Sequence, residues 1–148
     1  MTQENILKGL AAGFVAGAAA TLAKTIWEEY FPVRDQDTET PPAKLAERIE
    51  GRELEGQEEE VAEQSIHAGF GIGTGVLYGL AAEAVPPITT AAGLPFGVGF
   101  YALTHGSVVP ALGLEPWPTE VKPQYAVNEF AGHLVYAVVL EGVRRSLR

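Results

Sequence analysis

Cysteine is absent from this 148-residue chain, which excludes disulfides, thiolate nucleophiles and Cys-ligated zinc or iron–sulfur centres. Basic residues are scarce: 10 Lys and Arg stand against 19 Asp and Glu, a formal charge of −9. A phosphate-binding surface needs clustered Lys and Arg, so nucleic acid is excluded as a partner. Also missing are a Ser–His–Asp set, a phosphate loop and a dinucleotide fingerprint. The long apolar blocks lack a polar stripe of the width that a water-facing helix requires. Glycine, by contrast, is abundant: 17 residues, about 11% where roughly 7% is usual. The length suits one domain with one core.

Charge is unevenly placed. Between Arg34 and Glu63 eleven acids face four bases, so −7 of the −9 lies in one stretch. The remainder falls into four apolar segments, 6–27, 66–85, 88–112 and 125–143. Each has about the 20 residues that a helix needs to cross roughly 30 Å of hydrocarbon. The expected fold is therefore all-α, a polytopic membrane protein forming a four-transmembrane-helix bundle as a single domain over residues 1–148. Its helices are expected at about 6–29, 62–85, 88–112 and 124–146. An acidic outer loop over 30–64 carries a short helix at about 42–50, begun by Thr40 and the Pro41-Pro42 pair. The first segment is too long, and its start not basic enough, for a cleavable signal peptide. Arg144, Arg145 and Arg148 follow the last segment and Lys8 opens the first, so the positive-inside rule puts both termini in the cytoplasm.

Glycines recur every fourth residue: Gly9, Gly13 and Gly17 on the first helix, Gly71, Gly75 and Gly79 on the second. Small residues at this spacing let helix backbones approach closely in lipid, where little hydrophobic force acts between helices. Packing within the chain is the first reading of this spacing, and a homo-oligomeric seam is the alternative.

Sorted by depth, one set of polar residues falls in the outer half: Lys24 and Glu28 on the first helix, His67 on the second, His105 on the third, and Glu129 with His133 on the fourth. All three histidines of the chain are in it. Ionisable groups in hydrocarbon are costly and face the bundle interior or water, so these faces are expected to converge beneath the outer surface. Imidazoles with a carboxylate suit a proton-exchanging group, and His67, His105, Glu129 and His133 also suit a divalent transition metal as cofactor. Glu83 and Glu141 lie toward the other end, where Arg144 and Arg145 can neutralise them.

The stretches AKTIWEEYFPVR, the His67…Tyr78…AAEAVP run and above all NEFAGHLVYAVVLEGVRRSLR, with Glu129, Gly132 and His133, resemble the YagU-like small bacterial inner-membrane proteins. The resemblance runs along the whole chain. It implies an inner-membrane protein of unknown biochemistry, with a link to survival in acid, and carries no defined active site.

Three functions are thus expected of such a chain. The favoured one is a small integral membrane protein whose outward-facing His/Glu cluster binds or relays protons or cations under envelope or acid stress. A structural or accessory subunit of a larger membrane complex is the second, and an intramembrane metal-binding protein or enzyme the third. With no catalytic set, the chain reads as a binding or structural protein before an enzyme. Its expected surroundings are the lipid bilayer and a homo-oligomer or a larger complex.

Overall fold

The computed structural model describes residues 3–148. All regular structure among them is helical. The elements are α1 (Gln3–Tyr30), α2 (Pro41–Glu50), α3 (Gln57–Ala84), α4 (Leu94–Leu103) and α5 (Pro123–Ser146). A 3-10 segment, Pro86–Gly93, precedes α4. A π-helical turn, Thr104–Val108, and a short α segment, Val109–Ala111, prolong it.

The third apolar segment is thus broken, where one helix over 88–112 was expected. Pro86 and Pro87 follow Val85, which takes the non-helical conformation that a residue before proline prefers. Thr90, Ala91 and Ala92 are non-helical, the two alanines at positive φ, and Gly93 turns the chain at φ 82°. A helix can restart only after this, with Pro95 in its first turn. At the far end Pro110 offers no N–H to the previous turn, and there the helix widens: the Val109 N–H bonds to the Thr104 carbonyl five residues back. The short helix α2 follows the expected chemistry, with Thr40 Oγ1 accepting from the Ala43 N–H at 3.3 Å and Gly51 closing it at φ 70°.

Helices α1 and α3 are antiparallel and meet backbone to backbone. A Cβ on Gly9 would lie 2.9 Å from the Gly79 carbonyl oxygen, and one on Gly17 would lie 3.0 Å from Gly75 Cα. Gly71 leaves room for the Thr21 side chain. Helix α5 runs antiparallel to α1, with the Trp27 Nε1–H donating to the Asn128 carbonyl at 3.0 Å, and also antiparallel to α4, where Gly97 abuts Ala137 and His133. The start of α1 and the end of α5 therefore lie at one end of the bundle, and α2 with the 112–122 connection lies at the other.

The interior is built from small, aromatic and charged side chains. Ala16, Ala20, Ala137, Leu140, Tyr78 and Tyr136 form its core, and Lys24, Glu129, His133, Glu141 and Arg144 are buried with them. Phe14, Leu22, Phe70, Leu77, Leu103 and Val127 point outward. Helix α1 is long and apolar enough to cross a membrane, and α3 meets that test jointly with the Pro86–Ala111 segment, from which it is bent by 116°.

Candidate functional site

The expected polar residues sort into one connected chain and one outlier. Lys24 sits one turn before Glu28 on α1 and forms ion pairs with Glu28 and, at 2.9 Å, with Glu129 Oε1 on α5. Facing the same oxygen are His105 Nε2 and His133 Nδ1, each at 3.4 Å. One donor atom each from His105, Glu129 and His133 lie within 4.8 Å of one another. His67 stands apart: its Nε2 is 3.4 Å from Thr25 Oγ1, and it is not one of the three clustered donors.

Local structure explains these positions. His105 lies in the π turn, which changes the direction of its side chain relative to a regular helix, a feature often found at functional sites. His133 follows Glu129 by one helical turn, so both leave α5 on one face. The small Gly132 beside them lets Trp27 approach; a Cβ there would lie 3.1 Å from the indole.

Hydrogen bonding places a proton on Nδ1 of both His105 and His133. The Glu129 carbonyl can only accept, so His133 Nδ1, 2.9 Å away, carries a hydrogen and donates it. His105 Nδ1 donates in the same way to Glu115 Oε1 at 2.6 Å. When its ring is neutral, His105 turns a bare Nε2 lone pair toward Glu129 Oε1 at 3.4 Å. That oxygen is buried and receives no well-directed hydrogen bond; the Lys24 ammonium pairs with it by charge. In that state two lone-pair atoms confront each other beside one ammonium. Glu28, Glu115 and Glu129 against Lys24 also leave the cluster at −2 when the imidazoles are neutral.

Glu115 is a member that sequence reasoning missed. It lies in the connection after α4, where no helical period links it to anything; Gly113, at φ 70°, turns the chain back so that it meets His105. The only sign of it was a lone acid among apolar and proline residues.

Two open clefts reach the cluster from the α2 end. One, of about 350 Å³, runs between the 33–41 and 115–126 stretches down to Tyr101, His105 and Glu129. The other, of about 300 Å³, opens between α3 and α4 and reaches Lys24, His105 and His133. At the rim Lys122 at 2.6 Å and the Tyr125 hydroxyl at 2.7 Å bind Asp35 and hold its carboxyl below the ordinary range. Burial, helped by the neighbouring Glu47 carboxylate, pushes Glu39 up. Toward the chain ends the way is filled by Phe96, Phe100, Tyr136 and Leu140, beyond which lies a separate group. There Glu141 receives the Tyr78 hydroxyl at 2.8 Å and pairs with Arg144 at 2.7 Å and with Arg145, while Arg148 pairs with Glu83.

A family model described as a protein of unknown function (DUF1440) matches residues 18–142, a span that contains every member of the cluster. No curated protein and no solved structure matches the chain.

Proposed function

The chain belongs to that family of unknown function, in agreement with its resemblance to the YagU-like proteins, and from this premise we propose that it is a small multi-pass protein of the bacterial inner membrane with a cation-binding site at its outer end. Many large apolar side chains point outward, while glycine, alanine and ion pairs share the interior with a small aromatic core. Apolar surface on this scale, repeated on every long helix, suits lipid. In this reading α1, α3, the broken α4 segment and α5 are four spans, and the termini are cytoplasmic.

The function rests on one observation: the buried Glu129 Oε1 faces His105 Nε2 at 3.4 Å with no directed hydrogen bond between them. Such a pair of acceptors is stabilised by a cation, and the clefts give access from the α2 end. The apolar plug on the other side supports binding rather than passage through the bundle. Envelope or acid stress is the setting we propose. The role of accessory subunit has no comparable observation in its favour.

Coupling within the cluster tests the function. His105→Ala and His133→Ala should be strongly non-additive when combined, because each removes a partner of the same Glu129 oxygen. Thermal stability in detergent and growth after acid shock are the readouts; strict additivity in both would separate the histidines and sink the reading.

Topology is tested independently. The chain contains no cysteine, so single cysteines can be introduced without background. At Glu55 and Glu120 they should react with an impermeant maleimide added outside intact cells. At Ser146 reaction should require permeabilised cells. The opposite pattern would place the site on the cytoplasmic side.

A further inference from the structure

We infer that the cation is a divalent transition-metal ion held by His105, Glu129 and His133, with Lys24 as an internal competitor for the same position. The inference rests on the cation-binding reading above and adds the kind of ion and its mode of entry.

The donor set comes first. Two imidazoles and one carboxylate suit zinc and its first-row neighbours, whereas Mg²⁺ and Ca²⁺ take oxygen ligands. The surroundings of the histidines point the same way. A metal-binding histidine almost always gives its second N–H to a carboxylate or backbone carbonyl, which orients the ring and raises its basicity. Both arrangements occur here: His105 Nδ1 to Glu115 at 2.6 Å, and His133 Nδ1 to the Glu129 carbonyl at 2.9 Å. Each ring thus keeps a lone pair on Nε2, that of His105 3.4 Å from Glu129 Oε1 and that of His133 3.4 Å from the Thr104 hydroxyl. Three protein donors leave at least one position open to water or a further ligand, the pattern of exchangeable rather than purely structural sites.

Charge gives the second argument. Glu28, Glu115 and Glu129 against Lys24 leave −2 with neutral imidazoles, and a divalent ion cancels it. Lys24 need not be stranded when the ion arrives. Its ammonium is already paired with Glu28 one turn away, so it can leave Glu129 and remain neutralised. Without the metal the ammonium fills the role of the missing cation at Glu129; with it, the ammonium withdraws. An ammonium so placed weakens binding and makes it reversible.

The experiment uses the full chain in detergent, stripped with a chelator and titrated with Co²⁺. A strong visible d–d band reports four- or five-coordinate Co²⁺ held by the protein, since aquo Co²⁺ absorbs only weakly, and displacement by Zn²⁺ reports competition. One equivalent of Co²⁺ should develop the band. His105→Ala and His133→Ala should abolish it, and His67→Ala should leave it unchanged. Glu115→Gln should weaken binding by roughly 10–100-fold, as lost outer-shell partners do. Lys24→Gln should tighten it at least about tenfold, since a like charge a few ångströms from the ion is removed; a gain of this sign cannot arise from misfolding. Absence of the band in the wild type, or Lys24→Gln binding no tighter than wild type, would overturn the proposal. If the metal fails while the two histidines remain non-additive, the cation site stands and the ion is a proton. If both fail, neither reading survives.

Discussion

Gly75→Leu is expected to destroy the contact between α1 and α3 and with it the folded bundle. A Cβ at this position would lie 2.6 Å from the Gly13 carbonyl oxygen and 2.8 Å from the Gly17 nitrogen, with Gly17 Cα nearer still. These are backbone atoms inside helices, so no side chain can rotate away to relieve the clash. Overpacking a core commonly costs 1–3 kcal/mol, and a clash with rigid backbone belongs at about 3 kcal/mol or above. Gly73 is the control: it lies on the same helix, and a Cβ there meets nothing within 4 Å. Thermal unfolding in detergent should show Gly73→Leu close to wild type and Gly75→Leu unfolded or strongly shifted. Equal behaviour of the two would mean that α1 and α3 do not meet through this face.

Glu141→Ala should be the next most damaging change. The carboxylate is fully buried and gathers the Tyr78 hydroxyl and two guanidinium groups. Removing one partner of a buried ion pair costs about 3–5 kcal/mol, because the other charge stays behind uncompensated. The lower end applies here, since Arg145 is 57% exposed and can turn to water while Arg144 retains Glu83 at 3.7 Å. Arg145→Ala should cost at most about 1 kcal/mol, as for exposed pairs. The two variants compared in the same melt provide the check; a Glu141→Ala protein as stable as Arg145→Ala would mean that the group is hydrated rather than buried.

The regular parts of this fold were legible because their signals are local. The glycine spacing on α1 and α3, the Thr40 cap of α2 and the one-turn pairing of Lys24 with Glu28 each depend on residues within a few positions. Glu129 and His133 share a face for the same reason. What was not legible depends on distant partners or on broken periodicity. The break at Pro86–Gly93 is hidden in the sequence because apolar composition continues through it while the backbone does not. The π turn at Thr104–Val108 follows from a proline whose effect on the preceding helix, widening or stopping it, depends on tertiary support. Glu115 meets His105 only because of a turn at Gly113, and His67 was grouped by depth although its neighbour is Thr25. Of the six polar residues expected at the outer end, five share the chain of contacts from Glu28 to His133.

The apolar plug of Phe96, Phe100, Tyr136 and Leu140 bears on how the site would respond to an energised membrane. Glu129 lies six residues into α5, about 9 Å along the axis at 1.5 Å per residue. Moving a unit charge across the whole bilayer is worth about 2.3 kcal/mol per 100 mV, but an ion bound here and stopped by the plug crosses only a fraction of that drop. For a divalent ion about a third of the way across the hydrocarbon, that fraction is worth on the order of 1 kcal/mol per 100 mV, so on the proposed topology occupancy would follow the ion concentration outside the cell and shift up to about tenfold with voltage. On that topology the protein would be a one-sided gauge of its surroundings, reading higher when an inside-negative potential draws the cation inward.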